Sequence, residues 1–213
     1  GGCGEGAYAT FNCTHYCGDN PEHVKANLNI VKSFLKNAKA NQSKRADVLI
    51  IPRQTHTTNV RVIEDVPSEE DLQDVDALVT RLKGFCLCVS TADCVPILMY
   101  DSVKQVVAAV HAGWRGTVGR VVEKTLETMK LYYGTEGKDV VACIGPSISL
   151  ESFEVGDEVY AAFAEAGFDM PRIARRYEKW HIDLWEANRL QLLAHGVLPS
   201  HIELAGEIGR ASC

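Results

Sequence analysis

The chain has 213 residues, of which 46% are hydrophobic and 23% charged, a globular composition that excludes collagen, coiled coil and wholesale disorder. At about 150 residues per domain the length favours a single domain over 1–213. Twenty-two Lys and Arg against 28 Asp and Glu give a net charge of −6, which argues against general nucleic-acid or anionic-membrane binding, since both need clustered basic charge.

In chain order, Asp19-Asn20-Pro21 predicts a helix start. Val24, Leu28, Val31, Leu35 and Ala38 continue it as an amphipathic helix. A polar stretch, Asn37 to Arg45, reads as a surface loop. Strands are predicted at Val48–Ile51, Asn59–Glu64, Phe85–Val89, Pro96–Tyr100, Val106–Val110 and Val140–Ile144, the later ones as buried strands. Helical spacing returns over 117–133, with Val118, Val121, Val122, Leu126, Met129 and Tyr133 on one face. Asp157–Ala166 and Asp183–His195 are further helices, the second with a capping-box pattern (Asp183, Glu186) and Gly196 as its C′ residue. The order is α/β or α+β and not a regular βαβα alternation, so a doubly wound sheet is not expected.

No apolar run approaches the ~20 residues of a membrane span. Nor does the N-terminus read as a signal peptide, so reduced cysteines in a cytoplasmic protein are expected. Three polar residues fall near expected strand ends: His56, Cys94 and His111, separated by 38 and 17 residues. That spacing is too long for a zinc finger, but a His/Cys/His set gathered by the fold is what an open catalytic zinc site uses. From spacing alone, unrelated core residues are the simpler reading. His111-Ala112-Gly113-Trp114-Arg115-Gly116 runs from a strand into a helix, a local anion site to which Arg115 can add charge-assisted hydrogen bonds; the alternative is a Gly-rich turn with a packed Trp. Lesser candidates are Cys13, His15 and Cys17, whose alternation along one segment closes a tetrahedron poorly. Cys86 and Cys88 share a strand face and read as core thiols. Arg172, Arg175 and Arg176 read as a solvated basic stretch, and Glu154, Asp157 and Glu158 as a helix-start preference.

Arg53-Gln54-Thr55-His56, Thr91-Ala92-Asp93-Cys94-Val95-Pro96, His111 to Gly116, Ile144-Gly145-Pro146-Ser147-Ile148 and Asp183 to Arg189 together closely resemble one family. It is the polyphenol-oxidase (laccase) domain family, regarded as purine nucleoside phosphorylases and linked in bacteria to peptidoglycan editing. The resemblance runs from Gly1-Gly2 to about residue 205. It implies a four-layer α/β/β/α fold similar to the catalytic domain of cytotoxic necrotizing factor toxins. It also implies His56, Cys94 and His111 as metal ligands, with zinc the expected ion and copper an alternative occupant in vitro. The implied activities are phosphorolysis of adenosine, inosine, guanosine and methylthioadenosine, and hydrolytic deamination of adenosine, with purine nucleosides and phosphate as partners. Nothing in the sequence sets an oligomeric state.

Two departures stand out. Tyr16 occupies the place of a usual imidazole in Asn12-Cys13-Thr14-His15-Tyr16 and is given no role. The family's aromatic and Arg-rich continuation is replaced by Glu207-Ile208-Gly209-Arg210, so part of the C-terminus is expected to be absent or altered. Asp93, nearest in sequence to Cys94, is either the acid/base at a leaving amine or a carboxylate orienting a ligand His. Arg53, Gln54 and Arg115 are the substrate-side candidates. Seven His without a His-x-His pair cannot build a multicopper cluster. Competing readings are a cysteine hydrolase or deamidase using Cys94 and His111, and a non-enzymatic peptidoglycan editing factor with a structural metal.

Overall fold

A computed structural model describes residues 2–9, 11–37 and 48–205. Of the loop expected over 37–45, Asn37 is instead the last residue of the first helix, and 38–45 lie outside these residues, as does the atypical segment after Ala205. The elements in chain order are α1 (Pro21–Asn37), β1 (Val48–Ile50), β2 (Val60–Val62), β3 (Ala77–Thr80), β4 (Phe85–Leu87), β5 (Val95–Asp101) and β6 (Val106–Ala112). They continue with α2 (Trp114–Val118), α3 (Val121–Tyr133), β7 (Val140–Ile144), β8 (Glu154–Val155), α4 (Asp157–Glu165), α5 (Met170–Ile173), β9 (Ala174–Arg176), β10 (Trp180–Ile182), α6 (Leu184–Ala194) and β11 (Ile202–Leu204).

The result is a mixed α/β fold with three sheets. The largest has six strands in the order β11-β7-β5-β6-β3-β2; β1 pairs with β4 alone, and β8-β10-β9 form a third sheet. Strands alternate their side chains between two faces, and the two faces of the large sheet meet different partners. Ala77, Val79, Ile97, Met99, Ala108 and Val110 point to the face covered by α2 and α3, against which α6 packs in turn, in one core with Val122, Met129 and Leu192. Leu78 points the other way, into a smaller core with Ile50, Ile63 and Val75 beneath the β1–β4 pair.

Several expectations are corrected here. β5 and β7 are not buried on both faces: Leu98 is 54% and Val141 43% exposed, because the β1–β4 pair covers only the β2–β3 side of the sheet. The expected helix over 117–133 is two helices, α2 and α3, broken where Arg120 adopts φ 66°. Its guanidinium lies 3.8 Å from the Phe168 ring centre and donates to the Ala166 carbonyl at 2.7 Å, which holds the break. Glu154 lies in β8 and pairs with Lys179 at 2.5 Å rather than starting a helix. The α6 cap is as expected on one side: the Asp183 carboxylate accepts the Glu186 N–H at 2.9 Å, and Gly196 takes φ 83°. Glu186 itself turns to Arg172 and Arg189 instead of closing the box.

Candidate metal centre

The register of the large sheet places the functional side chains. β5 and β6 are antiparallel with Val95 opposite Ala112, and Ala77 of β3 lies opposite Val110 of β6. One step further along, Cys94 comes level with Gly113 and Asp76 with His111. The starts of β3 and β5 and the end of β6 therefore share one edge. Because side chains alternate, Asp76, Cys94 and His111 fall on the same face, the one turned away from α3. His111 is the penultimate residue of β6, whereas the sequence placed it just beyond the strand.

His56 arrives from the loop between β1 and β2 and is held there by Asp76. The fully buried Asp76 carboxylate accepts from Thr55 N–H (3.3 Å), His56 N–H (3.1 Å), Thr57 N–H (2.7 Å), Thr57 Oγ1 (2.7 Å) and His111 Nδ1 (2.7 Å). Three consecutive N–H groups turned toward one anion force the chain to bend sharply, and His56 takes φ 63°. A left-handed conformation costs a non-glycine residue roughly 1–2 kcal/mol, which the charge-assisted bonds to Asp76 offset.

His56, Cys94 and His111 each present one donor atom, and all three donors lie within 4.8 Å of one another; no other group of three or more His, Cys, Asp or Glu donors occurs among the described residues. The Cys94 Sγ to His56 Nε2 distance is 3.6 Å, which is about the separation of sulfur and nitrogen on a tetrahedral zinc with bonds of ~2.3 and ~2.1 Å. The imidazole rings stand edge to face with centres 4.9 Å apart. Gly113 keeps this space open: a Cβ there would stand 2.8 Å from His56 Cδ2 and 2.9 Å from Cys94 Sγ. The donor set fits zinc, which accepts imidazole nitrogen and thiolate, and three protein donors leave a fourth position for water or substrate.

The electrostatics follow from the same contacts. Burial alone would lower the His111 imidazole, but its hydrogen bonds to Asp76 and Cys94 outweigh that and raise it to about 9 in the metal-free protein. Burial pushes the Asp76 carboxyl up, yet the bonds from His111 and Thr57 leave it below its ordinary value. His56 is lowered, first by burial and then by the charge on His111. With Asp76 ionised, His111 Nδ1 is the donor, so Nε2 is the nitrogen turned to Cys94 and available to a metal.

The centre opens into a cleft of about 1040 Å³ whose lining includes Tyr16, Gln54, Cys88, Asp93, Pro96 and Leu98. Gln54 lines it, but its amide is engaged with the backbone of Ser90, donating and accepting at 2.7 Å. That clamp ties the His56 loop to the segment leading into Cys94. Exposed Arg115 lies over the Trp114 ring at 4.4 Å, and exposed Arg53 reaches Gln73 at 3.3 Å. Asp93 lines the cleft next to Cys94, and His111 is hydrogen-bonded to Asp76, which the sequence reading missed. Its signal was weak: an Asp directly before the apolar run Ala77-Leu78-Val79-Thr80, a strand that was also missed. Of the lesser candidates, Arg172 and Arg176 are engaged with Glu186 and Asp157, as a solvated stretch would be.

A mixed α/β fold with a candidate three-donor metal site at one edge of its large sheet defines the class. A family model described as multi-copper polyphenol oxidoreductase laccase matches residues 1–210, and the chain belongs to that family. It is 54% identical over 215 residues to a purine nucleoside phosphorylase of Bacteroides thetaiotaomicron, covering 96% of this chain and 77% of the relative. It is 42% identical over 210 residues to adenosine deaminase RL5 from an unknown prokaryotic organism, covering 93% and 77%. Among solved structures, YfiH of Bacillus licheniformis superposes with a TM-score of 0.86 at 24% identity, over 97% of this chain and 79% of that one. YlmD of Geobacillus stearothermophilus does so with 0.82 at 26% identity, over 97% and 78%.

Proposed function

We propose that this chain is a zinc-dependent purine nucleoside enzyme that phosphorolyses adenosine, inosine, guanosine and methylthioadenosine and hydrolytically deaminates adenosine. The observation that carries the reading is the convergence of His56, Cys94 and His111 within 4.8 Å in the lining of a cleft large enough for a nucleoside. The names of the two similar proteins support the substrate class. The reading includes a single domain over 1–213 with the four-layer α/β/β/α order shared with the cytotoxic necrotizing factor catalytic domain. Helices on one face of the large sheet and the β1–β4 pair on the other support that order.

In this reading His56, Cys94 and His111 hold the zinc, and divalent copper is the alternative occupant in vitro because the donors also suit that ion. When bound, the metal supplies Lewis-acid activation at its open position. Asp76 keeps the proton on His111 Nδ1 and so fixes the orientation of Nε2. Asp93 is the candidate acid that protonates the leaving amine in deamination. Arg53 and Arg115 are the cations assigned to phosphate, and Gln54, clamped to Ser90, holds the cleft wall against which the substrate rests.

The test combines elemental analysis of the purified protein with product analysis on adenosine, with and without phosphate. Stoichiometric zinc, adenine that requires phosphate, and inosine without it are expected. His56→Ala, Cys94→Ala and His111→Ala should each abolish turnover while circular dichroism stays native. Full activity in any of the three removes the assignment. Unfolding on metal removal would instead favour a structural metal in a non-enzymatic editing factor.

A further inference from the structure

The function described above leaves one close pair of sulfurs unused. In β4 the alternation of side chains sends Phe85 and Leu87 against the smaller core, and Cys86 to the opposite face beside Leu49 of β1. Cys88 follows two residues on, on the same face. Both cysteines are half-buried, and their sulfurs lie 3.9 Å apart. Cys88 also lines the cleft, so the pair is reachable from solvent. Neither belongs to the His56–Cys94–His111 group. They were expected to be core thiols; both are instead only half-buried.

We propose that Cys86 and Cys88 form a separate soft-metal site, a two-thiolate clasp for a monovalent thiophilic cation of the Cu(I) class. With metal–sulfur bonds of about 2.3 Å, a 3.9 Å separation corresponds to an S–metal–S angle of roughly 115°. That angle suits a low-coordinate soft ion with one outward position left for a small donor. A closed zinc site needs four ligands, and no third His, Cys, Asp or Glu joins the pair among the described residues. Thiolate donors in low number therefore select a monovalent soft ion. Binding releases the two thiol protons and changes no oxidation state. Cys86 is the readier thiolate, because the hydrogen bond from Cys88 lowers it; Cys88 is raised in turn and gives up its proton only to the bound cation. A disulfide is the poorer use of the pair. Positions i and i+2 of a strand are about 6.6 Å apart between Cα atoms, at the limit of disulfide geometry.

The full-length chain, reduced, anaerobic and pre-loaded with zinc, is titrated with Cu(I) against bicinchoninate. One equivalent of Cu(I) should be retained, with thiolate-to-copper absorption in the near ultraviolet and no zinc released. Cys86→Ser and Cys88→Ser should each weaken that equivalent at least tenfold, and Cys143→Ser should not. In the unaltered protein, Cu(I) should protect Cys86 and Cys88 from alkylation, a readout that needs no variant to fold. Zinc release in step with copper uptake, undiminished retention in Cys86→Ser, or alkylation of both cysteines at the metal-free rate would each overturn the proposal.

Discussion

Replacing Asp76 by Asn tests the link between the sheet and the proposed centre. The change is nearly isosteric and removes one charge at a carboxylate that is 0% exposed. One oxygen serves His111 Nδ1 and His56 N–H; the other serves Thr55 N–H, Thr57 N–H and Thr57 Oγ1. An amide can satisfy only one of these sets. If its oxygen faces His111, its NH₂ confronts the two threonine N–H groups, and each unsatisfied buried donor costs about 1–3 kcal/mol. If it turns round, the NH₂ donates to Nδ1, the ring adopts the other tautomer, and Nε2 carries a proton where the metal needs a lone pair. Either way the loss of a buried charged partner is worth about 3–5 kcal/mol of stability. A domain stable by about 5–15 kcal/mol should generally survive this. Zinc affinity should fall about 10- to 100-fold. Competition with a chromogenic chelator gives the affinity, and thermal melting of the metal-free protein gives the stability. A folded Asp76→Asn that holds zinc within twofold of the unaltered chain would show that Asp76 does not position His111 for a metal.

Three further outcomes are expected. Gly113→Ala, at φ −67° where alanine is comfortable, should leave folding intact yet weaken zinc at least tenfold, because its Cβ would fall 2.8–2.9 Å from His56 and Cys94; an unchanged affinity in the chelator assay contradicts the packing argument. Phe163→Ala, in the helix-side core against Phe168, should cost about 3–5 kcal/mol in a denaturation curve with zinc affinity preserved, separating loss of fold from loss of the site. For pH, the His111 imidazole is raised to about 9 in the folded metal-free protein against about 6.5 unfolded. The stability it contributes, of order 3 kcal/mol, is present in full below about 6.5 and lost as pH rises through 9. Zinc affinity should move the opposite way, since a proton on His111 competes with the metal. A melting temperature of the metal-free chain that stays flat between pH 6.5 and 9.5 would refute the assignment.

What the sequence revealed and what it hid divide along physical lines. Helix α1 and helix α6 were legible because their periodicity and caps are local, as the Asp183 cap shows. The break at Arg120 was hidden because Val118 and Val121 keep the apolar period across it, while its cause, the contact with Phe168, comes from 48 residues away (168 − 120). β9 and β10 were hidden because strands carrying Arg175, Arg176 and His181 lack an apolar run. His56, Cys94 and His111 were legible as residue types and through family resemblance. Asp76 was not: its relation to His111 exists only through the β3–β6 register, and no local pattern connects positions 76 and 111.

That same register weighs between a metal and a nucleophilic cysteine. A Cys94–His111 dyad would need Asp76 at Nδ1 to orient the imidazole, and the geometry supplies it. It would need nothing from His56. Yet Asp76 also accepts the N–H groups of Thr55, His56 and Thr57 and holds His56 in a left-handed conformation with Nε2 3.6 Å from the Cys94 sulfur. Gly113 leaves both His56 and Cys94 the room they occupy. Strain of this kind persists only where surrounding contacts over-determine it, and what those contacts secure is the third donor. A dyad leaves that arrangement without a purpose, whereas an open three-donor centre uses every part of it, and zinc bound by the Cys94 thiolate would quench the nucleophile the competing reading requires.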